Sequence, residues 1–321
     1  MGALTVQRVA PVYTGFQPLA ACHWQGVANI LAWQGMVDAD RKVCPSWGFS
    51  WDGRSAVLRR GDRWIATLNE THDLAVERMD FATADEADAA ELRLAERELP
   101  FVAEIDAFEV RSDYAGREHV AHTVVVLDRR PDRATILDTM NHPEPVVVDA
   151  ERYRRMRTHP CVDAHHLYVS PHPPRREATT EQIAAAFARS LERHWRADLA
   201  GLDAYRARLA SSGAMADVAR VGGERLYLAR LFGLLGELDA ALADAAAAFL
   251  SLSRRWYLAH NLAVSALPVP DERSREERVR RLVGDLQARE MDLHDHVWPA
   301  LARYGAPATT STAPGGAADG A

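Results

Sequence analysis

Apolar positions along this chain follow two periods, helical in some stretches and strand-like in others. From 22 to 34, Val27, Ile30 and Leu31 recur at helical spacing, and Gly35 stands where a left-handed residue closes a helix. The spacing predicts a helix over 22–34 with Cys22 at its head. Residues 85–98 predict a second helix. Short β-branched or apolar runs at 101–108, 123–127, 134–137, 146–148 and 166–169 predict strands. A helix followed by antiparallel strands is an α+β arrangement. The run Asp128-Arg129-Arg130-Pro131-Asp132-Arg133 between two of the strands predicts a hairpin turning near residue 130.

The second half is helical throughout. Thr179 and Gln182 form a capping box, and Ile183, Phe187, Leu191 and Trp195 follow at intervals of four, with Arg189, Arg193 and Arg196 off that stripe. Residues 224–250 are rich in Leu and Ala. Ser274 with Glu277 opens a last helix carrying Val279, Leu282, Val283 and Leu286. This pattern predicts a helical bundle, and none of its motifs specifies chemistry. Pro171-His172-Pro173-Pro174 continues neither a helix nor a central strand. The expected organisation is therefore a mixed domain over 1–172, a helical domain over 173–305 and a small, polar, disordered tail over 306–321.

Composition narrows the function classes. The chain has 321 residues, more than one core usually serves. A net charge of -7 argues against a nucleic-acid binder. No apolar run approaches the roughly 18–20 residues that span a bilayer. The first residues lack a charged segment followed by an apolar one, so secretion is not expected. Arginine supplies 37 of the 38 Lys and Arg residues, a matter of GC-rich codon usage rather than mechanism. Three widely spaced cysteines, Cys22, Cys44 and Cys161, form neither a disulfide framework nor a CxxC knuckle, which fits a reducing cytoplasm. The sequence leaves room for a homo-oligomer.

Cys22 is the first candidate for chemistry. A thiol attacks as its thiolate, and a helix amino terminus favours that anion. A hairpin centred on residue 130 sets His122 opposite Asp138, with Cβ atoms about 4.5–5.5 Å apart. An imidazole held by a carboxylate is fixed in tautomer and strengthened as a base. The same register sets His119 opposite Asn141, and Cys–His–Asn is also a working triad. His122 is preferred because it abuts the apolar strand, whereas His119 follows a charged loop. The backbone N–H of Cys22 and the side chain of Gln17 are candidate oxyanion donors. No metal or cofactor is expected. Cys161 lies near His165 and His166, and His294 near His296, but none has a distinctive chelating spacing, and there is no phosphate loop or dinucleotide fingerprint.

The stretch from Ala21-Cys22-His23-Trp24-Gln25-Gly26 to Trp33-Gln34-Gly35 resembles the nucleophile helix of the butirosin biosynthesis protein H family. Gly48-Phe49-Ser50-Trp51-Asp52-Gly53 is loosely similar to that family's glycine- and aromatic-rich segment. Ala121-His122-Thr123-Val124-Val125-Val126, followed by Ile136-Leu137-Asp138, is similar to the His and Asp segments shared with bacteriocin-processing cysteine peptidases. The usable motifs cover roughly residues 10–170. Two departures stand out. Ala21, not His, precedes the cysteine, and Trp47, Phe49 and Trp51 crowd the glycine-rich segment, which points to a different acyl pocket.

The resemblance implies a papain-like cysteine-peptidase fold followed by an α-helical bundle. It also implies acyl transfer in natural-product biosynthesis. Cys22 takes an acyl group from an acyl carrier protein thioester, His122 moves the proton, Asp138 orients His122, and an amine receives the acyl group, within the acyl chain itself in the case of a cyclase. The acidic carrier would dock on a basic face, either Arg189, Arg193 and Arg196 or the run Arg152, Arg154, Arg155 and Arg157. The alternatives are hydrolysis of a thioester, amide or peptide on the same triad, or a non-catalytic scaffold that binds the carrier.

Overall fold

The computed structural model describes residues 22–43, 47–49, 63–110, 115–138, 144–162, 166–208, 218–264 and 272–305. Helix α1 (Cys22–Trp33) forms where the apolar spacing placed it, and Gly35 closes it at φ 99°, a conformation that favours glycine. A short α2 (Ala39–Lys42) and α3 (Arg63–His72) follow. Next come strand β1 (Glu77–Asp80), α4 (Ala84–Glu96), β2 (Phe101–Asp106), β3 (Ala121–Arg130), β4 (Arg133–Leu137), β5 (Val146–Asp149), α5 (Ala150–Thr158) and β6 (His166–Val169). The six strands form one antiparallel sheet in the order β1-β6-β2-β3-β4-β5. The architecture is α+β with a helical carboxy-terminal region, α6 (Thr180–Arg208), α7 (Val218–Leu235), α8 (Ala240–Val264) and α9 (Glu272–Gly305). Among the described residues, no helix is long and apolar enough to cross a membrane.

Alternation along the strands divides the side chains between two faces. Val102, Val125, Leu137 and Tyr168 pack with α1, α3 and the helical region in one core. Phe101, Ala103, Ile105, Val124, Val126 and Ile136 pack with Ala90 and Leu94 of α4 and Tyr153 and Met156 of α5 in another. The first core runs without a break from Trp24 and Leu31 of α1 to Phe232, Phe249 and Val283 of the bundle. The prolines at 171–174 thus separate two architectures that share a core. The expected tail at 306–321 lies outside the described residues.

Several boundaries differ from the sequence reading. β2 stops at Asp106 because its carboxylate caps a 3-10 turn (Ala107–Glu109) by accepting the Phe108 N–H at 3.1 Å. The hairpin turns at Pro131 and Asp132, beyond the expected centre at 130, and a bulge between Val126 and Asp128 shifts the register again. The Leu-rich stretch 224–250 divides into α7 and α8. A Cβ on Gly236 would stand 2.8 Å from the Cα of Ala243, so glycine allows the two helices to meet there. Helices α2, α3 and α5 and edge strand β1 went unread. In α5, four arginines hide a short apolar stripe of Tyr153 and Met156. The Thr179/Gln182 capping box forms as expected, with reciprocal bonds of 3.1 and 3.3 Å.

His72 fastens α3 to the start of the helical region. It is fully buried, and its Nδ1 accepts the Ala178 N–H at 3.2 Å. Burial, reinforced by Lys42, lowers its pKa from 6.5 to about 4. Above pH 6.5 the imidazole is neutral in both folded and unfolded chains. Between 6.5 and about 4 only the unfolded chain binds the proton, so stability falls by roughly 1.4 kcal/mol per pH unit. Below that the folded chain protonates as well, and the loss levels off at about 3 kcal/mol. Urea midpoints of wild type and His72→Gln, compared at pH 7 and pH 4.5, are expected to show the excess acid loss in wild type alone.

A candidate catalytic dyad and a neighbouring polar cluster

His122 is the second residue of β3 and lies opposite Ile105 of β2. Asp138 follows the last residue of β4. The observed pairing of Val125 with Leu137 would place Asp138 opposite Val124, so His122 and Asp138 are diagonal rather than directly opposed. The side chains nevertheless meet, with His122 Nε2 3.0 Å from Asp138 Oδ1, and both are about 2 % exposed. A carboxylate beside one ring nitrogen favours the tautomer that carries its proton there.

Helix α1 packs on the opposite face of the sheet from His122. Asn29, Ile30 and Trp33 of its carboxy-terminal half border a mostly apolar pocket together with Pro100, Val125 and Leu127. Gly26 sits directly on Val102, where a Cβ would come within 2.9 Å of Cγ2. One turn earlier, His23 stacks on Tyr168 with centroids 5.8 Å apart and lies 6.0 Å from Trp64. The carboxy-terminal half of the helix therefore lies towards the Pro100–Leu127 end of the β2–β3 pair. In the pleat, His122 is in phase with Val124 and Val126, on the α4 and α5 side of the sheet, whereas Val125 is on the α1 side.

His119 has a different partner from the one expected. Its Nδ1 lies 2.6 Å from Oδ2 of Asp106, and Asn141 lies outside the described residues, as does Gln17. Asp106 collects further groups. His159 Nδ1 is 3.6 Å from the same oxygen, and Cys161 lies close enough to feel the carboxylate's charge. The His119 and His159 rings stack at 4.0 Å and 6°, and Phe108 covers the other face of His119 at 4.2 Å. Burial opposes ionisation of Asp106, but bonds from His119 and the Phe108 N–H outweigh it and hold its carboxyl below the usual range. Burial and the Asp106 charge push the Cys161 thiol up to about 11, so Cys161 is no thiolate nucleophile. The sequence reading missed Asp106 and His159, because only the pairing of β2 with β3 brings residues 106, 119 and 159 together.

The two arginine runs differ. Arg152 and Arg155 pair with Glu109, Arg154 with Asp85, and Arg157 is buried against Glu91 at 2.9 Å. That run is largely neutralised. On α6, Arg189 lies 3.7 Å from Glu70, and Arg193 and Arg196 are exposed.

The glycine- and aromatic-rich segment is docked on the helices at residues 47–49. Trp47 donates to Glu290 at 2.6 Å, and the Arg225 guanidinium lies 4.6 Å over the Phe49 ring. A Cβ on Gly48 would stand 2.0 Å from Asp198 Oδ2, and Asp198 is held by Arg63 at 2.5 Å. Gly48→Ala must therefore push the segment off α6 or break that ion pair. It is expected to cost about 1–3 kcal/mol, read as a lower urea midpoint at unchanged m-value.

No protein-family model matches this chain, and no curated protein is significantly similar to it in sequence.

Proposed function

We propose that the protein is a papain-like cysteine acyltransferase of the cytoplasm. It would carry an acyl group from an acyl carrier protein thioester, through an acyl-Cys22 intermediate, to an amine. The observation that supports this reading is the buried His122–Asp138 pair, with Cys22 as the first residue of α1. His122 takes the thiol proton as sulfur attacks the thioester carbonyl. It returns the proton to the departing carrier thiol. The incoming amine then gives its proton to His122 as it attacks the acyl-enzyme, and Cys22 leaves as the thiol. Asp138 holds the tautomer and balances the imidazolium.

The phase of His122 in the pleat sets a geometric requirement. The sulfur and the imidazole must meet around the open end of the sheet, one rung from Asp106 and Ala121. Contact of Gly26 with Val102 closes the helix–sheet interface between Cys22 and the apolar cavity, so the acyl chain runs outward from the sheet end and not beneath α1. Arg193 and Arg196 on α6 offer the basic face for an acidic carrier.

The test is to incubate the protein with an acyl-carrier thioester, or with a small acyl-thioester mimic, and read the intact mass. An adduct that is absent in Cys22→Ala and discharged only by amines supports transfer. Discharge by water alone assigns a thioesterase instead. Carrier binding with no adduct sinks the catalytic reading and leaves a scaffold.

A further inference from the structure

We propose that the pocket between the carboxy-terminal half of α1 and the β3–β4 hairpin binds a small organic amine, an ammonium group on an apolar body. The inference is independent of the acyl-transfer reading, since neither Cys22 nor the His122–Asp138 pair lines this pocket. Its walls are apolar: Ile30 and Trp33 of α1, Pro100 before β2, and Val125, Leu127 and Leu137 of the hairpin. Leu127 has no partner in the β3–β4 ladder, where the register shifts between Val126 and Asp128. One wall is therefore set by a bulge, a device common beside functional sites. Among the described residues, Asn29 and Glu98 are the only polar side chains of the lining.

Both polar residues offer acceptors. Asn29 is 4 % exposed, and its Nδ2 donates to the Gln25 carbonyl at 2.7 Å. Its Oδ1 takes no hydrogen bond among the described residues, which leaves a carbonyl oxygen inside an apolar pocket. Glu98 is exposed, which places its carboxylate at the mouth, and among the described residues it forms no ion pair. Its backbone has φ 55°. Glu98 closes α4, its N–H bonded to Ala95 O at 2.9 Å and the Leu99 N–H to Leu94 O at 3.0 Å, an arrangement in which glycine is usual. A side chain at such a position is strained, and strain of this kind gathers at functional sites. Here it sets a negative charge on the rim.

The ligand class follows from this lining. Apolar walls that include an indole accept an aromatic ring or a short hydrocarbon chain. A carbonyl oxygen within and a carboxylate at the mouth both accept from N–H donors, and both disfavour an acid. An ammonium at the end of an apolar body meets each requirement. Its binding would tie α1, the link between α4 and β2 and the bulged hairpin together, and it should raise the thermal midpoint.

The experiment titrates the full chain with 2-phenylethylamine and, separately, with 3-phenylpropanoate, an acid of nearly the same shape, by isothermal titration calorimetry. One saturable amine site is expected, with the acid at least about tenfold weaker. Asn29→Leu and Glu98→Gln should each lower the amine-to-acid affinity ratio about threefold or more. Matching ligand-free melting curves check that both fold, and the exposed Glu98 position keeps the test open if Asn29→Leu does not. Amine binding should also change tryptophan emission in wild type and not in Trp33→Phe, which locates the ligand. The proposal is overturned by the absence of saturable amine binding, by an acid bound as tightly as the amine, by a ratio that neither variant lowers, or by an emission change that survives in Trp33→Phe.

Discussion

Cys22→Ala is expected to abolish acylation by a thioester donor, with no mass adduct at any donor concentration, while the protein stays folded. His122→Ala should lower the acylation rate about 10²–10⁴-fold, the usual worth of a positioned general base. Asp138→Asn keeps the shape of the pair but can donate to Nε2 and reverse the tautomer, which in an analogous triad costs about 10⁴-fold. His119→Ala separates this dyad from its neighbour. His119 is held by Asp106, and its loss should cost less than about tenfold if His122 is the base. Single-turnover acylation rates of the four variants decide the matter. A normal rate in His122→Ala, or a loss in His119→Ala as large as in Cys22→Ala, would reject the assignment. The pH profile should show two macroscopic pKa values that belong to the thiol–imidazole pair.

The second large effect concerns the bundle. Glu290 is fully buried and accepts from Arg225 Nε at 2.6 Å, from Trp47 Nε1 at 2.6 Å and from Trp256 Nε1 at 2.9 Å. Arg225 is also fully buried, with Glu224 3.5 Å away as its second acid. Glu290→Ala strands the guanidinium and two indole N–H groups in a dry interior. Breaking one side of such a pair costs about 3–5 kcal/mol, a large share of a typical folding free energy. We expect soluble yield to collapse, or the thermal midpoint to fall steeply. Removing both charges is a different matter. Arg225→Met with Glu290→Met eliminates the desolvation of two ions, and it should recover part of the loss. Full recovery is not expected, because each indole N–H left without an acceptor still costs about 1–3 kcal/mol. Urea unfolding of the two single variants and the double variant gives the coupling energy. Additivity of the two singles would show that the pair acts as independent groups. Since Trp47 stands before the sheet in sequence and Glu290 in the last helix, this contact should also make the chain unfold in one transition.

Local patterns in the chain were enough for α1, for β4, β5 and β6 to within a residue or so, for the α6 capping box and for the stripe from Ile183 to Trp195. In each case the decisive forces act within a few residues. Apolar spacing selects which face is buried, a capping side chain satisfies its own helix end, and glycine at a positive φ ends a helix. The same patterns pointed to Cys22, His122 and Asp138, although the hairpin register that first paired the last two was wrong. A shift of the turn and a bulge at Val126–Asp128 moved Asp138 to a diagonal position, and the length of the imidazole made up the difference. Register depends on how both strands pack against their neighbours, which no short window of sequence contains.

Tertiary structure alone decided the rest. Asp106 looked like an ordinary strand residue, and His159 and Cys161 like the end of a polar helix. Antiparallel pairing of β2 with β3, and α5 lying across β2, put them around one carboxylate. Likewise Arg225 and Glu290, two charges 65 positions apart, gave no sign that they would be buried together. Short-range periodicity encodes which elements form, because it reflects burial of one face. Which polar groups meet depends on contacts between elements distant in the chain, and those exist only once the sheet and the bundle have closed on a common core.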